Sequence, residues 1–174
     1  MDGDAVLRAI RMLAHEIVDA AGGVERLALV GIRRGGVPLA ERLAAAIQEA
    51  EGKAVPVGTV EIALYRDDAA TALPDPKIGP SRIDFDPSGK EVVLVDDVLQ
   101  TGRTVRAAID CLLDYGRPSR VRLAVLLDRG GRELPIAPDF VARTLSVLPD
   151  ARVEVELGSA PRALLLRASA QESK

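Results

Sequence analysis

Asp96 and Asp97 are the residues of this chain best suited to chemistry. They stand in the string Val92-Val93-Leu94-Val95-Asp96-Asp97-Val98-Leu99-Gln100-Thr101-Gly102-Arg103-Thr104. The apolar residues that open it predict a buried strand that stops at the two acids. Charge placed directly after such a strand is costly unless something uses it. Paired carboxylates suit vicinal hydroxyls or a hydrated Mg²⁺, both of which want oxygen acceptors. A turn with two threonines and one glycine follows, and then a helix begins. Helix-start amides and the helix dipole favour a phosphate. Gly102 lets the backbone approach it, and Thr101 and Thr104 can donate hydroxyl bonds. Val98, Leu99, Gln100, Thr101, Gly102, Arg103 and Thr104 are therefore the expected substrate-binding run, with Arg103 pointing outward. The site is expected at the carboxyl end of a strand, where open α/β sheets place ligands.

A second cluster, Gly31-Ile32-Arg33-Arg34-Gly35-Gly36, lies between a predicted strand and a predicted helix. Arg33, Arg34 and Gly35 can meet a pyrophosphate through charge-assisted bonds and close backbone approach. The glycine spacing is not that of a dinucleotide fingerprint, and the Lys-Ser/Thr of a P-loop is absent.

The elements that position these residues follow from periodicity. Val6, Ile10, Leu13, Ala14, Ile17 and Val18 have helix spacing, ending near Gly22-Gly23. Leu27 to Ile32 predicts a buried strand, Val37 to Glu51 a helix, and Val55 to Leu64 a strand. Thr104 to Tyr115 predicts a helix and Val121 to Leu127 another buried strand. Alternating helices and near-continuous apolar strands predict an α/β fold, a mostly parallel sheet flanked by helices. Asp67 to Gly89 is polar and punctuated by Pro74, Pro76, Pro80 and Pro87, which predicts a lid over residues 66–90. Beyond residue 129 short strand-like pieces, Val153 to Leu157 and Ala163 to Arg167, predict a small C-terminal hood on a single 1–174 domain.

Composition narrows the classes. The chain has 174 residues, 48% hydrophobic but only 2% aromatic, so base stacking on an aromatic platform is a weak option. A net charge of −3 argues against a general nucleic-acid binder. The single cysteine, Cys111, sits in an apolar helical pattern and excludes a disulfide framework. No membrane-spanning or signal-peptide pattern is present, so the expectation is a cytoplasmic protein.

The Val92–Thr104 string resembles the motif of type I phosphoribosyltransferases that binds 5-phosphoribosyl-1-pyrophosphate (PRPP). Ala14-His15-Glu16-Ile17, Leu64-Tyr65-Arg66-Asp67-Asp68, Tyr115-Gly116-Arg117-Pro118, Asp128-Arg129 and Arg132-Glu133-Leu134-Pro135-Ile136 narrow the resemblance to the PyrR family. These are pyrimidine-operon regulators with uracil phosphoribosyltransferase activity. The resemblance implies that Asp96 and Asp97 hold the ribose hydroxyls and, indirectly, Mg²⁺, and that Gln100 to Thr104 wrap the 5′-phosphate. It implies a pyrophosphate loop with a cis peptide near Arg33-Arg34, and a lid from which Arg66 reaches the pyrophosphate. Phe140 and Val141 are the expected base contacts. The implied partners are PRPP, uracil, UMP and further copies of the chain, with RNA facing His15, Arg132 and Arg143.

Departures qualify this. Gln100 stands where purine enzymes tend to carry an aspartate and PyrR relatives often a tyrosine, and glutamine cannot act as a base. Gly131, Ala137 and Arg143 replace His, Arg and Lys of RNA-binding relatives. Arg11-Met12 and Arg34-Gly35 replace Thr-Arg pairs. Fewer basic groups predict weak RNA binding. Two alternatives stay open: another acceptor base, such as orotate or a purine, and a UMP- or PRPP-sensing RNA-binding regulator with little turnover.

Overall fold

The structure is a computed structural model that describes residues 1–62, 80–147 and 151–166. Helix α1 spans Gly3–Ala21 and begins at Asp2, whose carboxylate accepts the Ala5 amide at 2.8 Å. It ends at Gly22, which takes the left-handed conformation that glycine allows. Strand β1 (Leu27–Ile32) leads to α2 (Gly36–Glu51), β2 (Val57–Val60) and β3 (Glu91–Leu99). Helix α3 (Arg103–Leu113), β4 (Arg120–Asp128) and β5 (Phe140–Thr144) follow, then the pair β6 (Arg152–Glu156) and β7 (Arg162–Leu166).

The main sheet runs β2-β1-β3-β4-β5, and every neighbouring pair is parallel. Alternation along each strand divides the core in two. Val93 and Val95 of β3 join Leu29 and Ala124 on one face, under Leu13 and Ile17 of α1 and Leu39 and Leu43 of α2. Val92 and Leu94 join Val30 and Val125 on the other, under Val105, Ala108 and Leu112 of α3. Cys111 belongs to that second cluster, as packing predicts.

The fold class read from the sequence is the one observed, with several differences in detail. Strand β3 continues to Leu99, so the two acids lie inside the strand rather than after it. Strand β5 is only five residues long, and its pattern was not legible as a strand. Residues 80–90, the far end of the span expected as a lid, are tied to the folded body. Arg82 and Thr59 exchange backbone bonds of 2.8 and 2.7 Å, and Ile83 and Phe85 pack against the second core cluster. Residues 63–79, with Arg66, lie outside the described residues. The β6–β7 hairpin is antiparallel and separate from the main sheet. Arg42 of α2 holds its connection, donating to the Leu157 and Gly158 carbonyls at 3.0 and 2.6 Å. Among the described residues no helix is long and apolar enough to cross a membrane.

Candidate active site

Strand alternation separates the two acids. Asp96 continues the Val92–Leu94 side of β3 and Asp97 the Val93–Val95 side. Asp96 lines a cavity of about 800 Å³ at the carboxyl end of the sheet. It is only 7% exposed, and its Oδ1 accepts the Asp97 amide at 3.0 Å. Burial pushes its carboxyl well above the usual carboxylate range, and the neighbouring Asp97 charge pushes the same way. Asp97 points instead to the start of α2. A Cβ on Gly35 would stand 2.2 Å from Asp97 Oδ2, so only glycine leaves that carboxylate its place.

The cavity continues along Val98, Leu99, Gln100, Thr101, Gly102, Arg103, Thr104 and Val105. Here α3 begins after Gly102, with φ +90° and no acid in its first turn, and the Arg103 amide donates to Thr101 Oγ1 at 3.3 Å. The first-turn amides of Thr104 and Val105 have no intrahelical acceptor, and both residues line the cavity. The segment following β4 braces the turn from outside. Glu133 and Leu134 amides both donate to the Thr101 carbonyl at 3.0 Å, and the Arg129 amide donates to the Leu99 carbonyl at 3.1 Å. Gly102 also has Ile136 and Leu134 side chains within 3.3 and 3.4 Å of where a Cβ would be.

The turn from β1 to α2 lies beside the acids, since Gly31 pairs with Val95 across the sheet. Its Arg33–Arg34 peptide is cis, where the resemblance placed it. Arg33 Nε is buried with no hydrogen-bond partner among the described residues, a donor suited to an anion.

This strand, turn and helix constellation has known counterparts. Residues 2–157 match the phosphoribosyl transferase domain family. A protein named bifunctional protein PyrR from Acetivibrio thermocellus is 56% identical over 155 residues, covering 89% of this chain and 83% of the relative. The chain belongs to the PyrR group of phosphoribosyltransferases. A second bifunctional protein PyrR, from Chloroflexus aurantiacus, is 49% identical and covers 99% of this chain and 96% of its own. Among solved structures, the hypoxanthine phosphoribosyltransferase of Trypanosoma cruzi shares the fold with a TM-score of 0.67 at 20% identity, over 88% of this chain and 82% of that one.

Within this phosphoribosyltransferase fold the structure gathers Asp96 and Val98 to Thr104 into one wall and leaves other expected residues elsewhere. Phe140 is 6% exposed and packs in the α1-side core, with the Arg122 guanidinium 5.8 Å from its ring centre. Val141 packs against the opposite core cluster. Neither lines the cavity among the described residues; both belong to the edge strand β5. Arg103 does not simply point outward, because its Nε donates to Glu133 at 2.6 Å across the cavity rim. His15 and Arg143 are exposed, on α1 and β5. Arg132, expected to face RNA, is spent internally on the Ile136 carbonyl, the Gln100 carbonyl and Asp128.

Five lining residues escaped the sequence reading: Arg129, Glu133, Val105, Arg152 and Val153. The first two lie in strings that carried the family resemblance, which was a usable signal. Arg152 and Val153 come from β6, and nothing local in the sequence brings that hairpin to the end of β3.

Proposed function

We propose that the protein transfers phosphoribose from PRPP to N1 of uracil, giving UMP and pyrophosphate. The bond from C1 of the ribose to the pyrophosphate oxygen breaks, the bond from C1 to N1 forms, and the N1 proton leaves to solvent or to the departing pyrophosphate. The observation that carries this reading is the start of α3 opening on the same cavity as buried Asp96. That arrangement holds a phosphate at one end and ribose hydroxyls at the other. Asp96 favours the positive charge that develops at the anomeric carbon. Asp97 holds the β1–α2 turn in place through its fit against Gly35. Arg33 and Arg34 take the leaving pyrophosphate, and Arg66 joins them from the lid.

Mg²⁺ belongs to this reaction as a companion of PRPP. Among the described residues no group of three His, Cys, Asp or Glu side chains could hold an ion, and only Asp96 of the acidic pair lines the cavity. This donor set fits an ion carried in on substrate oxygens. Such an ion neutralises pyrophosphate charge. Gln100 offers a carboxamide and no base at the cavity wall, which suits a pyrimidine better than a purine. We place the protein in the cytoplasm, as a homo-oligomer.

Labelled PRPP offered with uracil, orotate, hypoxanthine and guanine tests the reading, and UMP is the expected product. Product from a purine or from orotate but not from uracil would overturn the acceptor. A second reading, UMP-dependent RNA binding, draws support from the relatives' description as bifunctional and from exposed His15 and Arg143. A gel shift with a pyrimidine-operon leader, with and without UMP, tests it. Tight UMP-dependent binding with negligible turnover would make regulation the main function.

A further inference from the structure

We propose that Arg132 is a positioning residue that aims the phosphate-binding amides of the β3–α3 turn, acting through the planes of its peptide bonds. The proposal deepens the phosphoribosyltransferase reading and rests on it for the identity of the phosphate. The guanidinium is a three-way clamp. Its Nε donates to the Ile136 carbonyl at 2.8 Å, Nη1 to the Gln100 carbonyl at 2.9 Å, and Nη2 to Asp128 Oδ2 at 2.6 Å. Asp128 is itself held at the end of β4, where its other oxygen accepts the Gly130 amide at 2.9 Å. The clamp therefore joins the end of the sheet, the segment after β4 and the turn that lines the cavity.

The choice of acceptors gives the clamp its consequence. In a planar trans peptide, the carbonyl of one residue and the amide N–H of the next point in opposite directions. The Arg33–Arg34 bond is the cis peptide of the described residues, so the bonds after Gln100 and Thr101 are trans. Arg132 pulls the Gln100 carbonyl toward the brace, which turns the Thr101 N–H away from it. The Glu133 and Leu134 amides do the same to the Thr101 carbonyl, which turns the Gly102 N–H away. Gln100, Thr101 and Gly102 all line the cavity. Neither the Thr101 nor the Gly102 amide bonds to an acceptor among the described residues. Two amides are thus set in advance beside the free amides of α3, before any ligand arrives. Preset donors lose no binding energy to reorganisation.

A lysine cannot reproduce this clamp, because it carries one nitrogen in place of a planar three-nitrogen fork. The test compares Arg132→Lys and Arg132→Gln with the wild type in two measurements. Ribose 5-phosphate binding by calorimetry reads the phosphate turn directly and needs no turnover. Steady-state kinetics read KM for PRPP and, at saturating PRPP, KM for uracil. Both variants are expected to weaken ribose 5-phosphate binding at least tenfold and to raise KM for PRPP similarly, with KM for uracil changed less than twofold. Asp128→Asn, which keeps an acceptor for the clamp, is expected to show a smaller shift in the same direction. It keeps the proposal testable if Arg132→Gln does not fold. Wild-type affinity for ribose 5-phosphate in Arg132→Lys would overturn it, since charge alone would then suffice. So would equal shifts in both KM values, which would indicate general loosening. A wild-type protein that binds ribose 5-phosphate without making UMP would sink the transferase reading while the clamp remained measurable.

Discussion

Two helices of this fold begin in nearly the same way and do different things. Both α2 and α3 start after a glycine, which has no side chain to cap the helix, and without an acid in the first turn. Each therefore presents free amides and a partial positive charge. At α2 the chain supplies its own anion, since Asp97 fills the space that a Gly35 side chain would need. At α3 the end is left open to the cavity, where the proposed reading puts the substrate phosphate. A helix start is thus not a site in itself. What separates the two is whether the neighbouring strand residue points toward the helix, and in β3 that is decided by parity. Asp97 turns to α2, and Asp96 turns to the cavity.

The comparison is tested most severely by removing both charges. Asp96→Asn with Asp97→Asn is expected to lower PRPP turnover by about 10³-fold or more while the fold persists, because neither carboxylate carries the apolar core. Circular dichroism and the uracil assay measure the two halves of that statement. Wild-type turnover in the double variant would mean that the acids are packing furniture and the cavity lies elsewhere.

Glycine substitutions at the two starts come next, and they are expected to fail for different reasons. Gly102→Ala puts a side chain at φ +90° and pushes it toward Ile136 and Leu134. Backbone strain of this kind costs about 1–3 kcal/mol. Relief of that strain would tilt the Thr101 and Gly102 peptides, so KM for PRPP should rise by tenfold or more. Gly35→Ala has no such strain, because Gly35 sits at φ −68°, ψ −30°, which alanine adopts freely. Its nearest clash is the overlap with the Asp97 carboxylate. Gly35→Ala should therefore be harmful alone and close to neutral beside Asp97→Ala, a coupling that a double-mutant cycle on thermal stability would reveal. Additive effects would mean that Asp97 does not occupy the start of α2.

Much of this was legible in the sequence, and the limits have physical causes. The Val92–Thr104 string is local: strand, acids, glycine turn and helix start are within one stretch of chain, so their juxtaposition is fixed by geometry alone. The Arg33-Arg34 turn was legible for the same reason. The opposite facing of Asp96 and Asp97 was hidden by one boundary. Ending the strand at Val95 removes the alternation that separates them, whereas β3 runs to Leu99. The burial of Phe140 was not legible, because the parallel pairing with Ala124 that buries it is non-local. Arg152 could not be placed at all, since a hairpin outside the main sheet carries no sequence record of where it docks. Arg132 shows a third case: a basic residue in a recognised string reads as a surface charge until its three acceptors are seen.

The smallest expected effect concerns stability, and it runs opposite to activity. Asp96 has its carboxyl raised above the ordinary value of 3.8, first by burial and then by the Asp97 charge. Between that ordinary value and the raised one, the folded protein binds more protons at this site than the unfolded chain does. Stability therefore falls as pH rises through that window, and the penalty persists at neutral pH. Asp96→Asn removes the ionisation and keeps an oxygen that can accept the Asp97 amide. The variant should melt a few degrees higher than wild type at pH 7, the size of ~1 kcal/mol in a chain of this length. That gain should shrink as the pH is lowered toward 3.8. Thermal melts of both proteins across this range measure the difference directly. A lower melting temperature for Asp96→Asn at pH 7 would show that the ionised carboxylate stabilises the fold, and the contrast between an acid kept for a ligand and an acid used by a helix would fail.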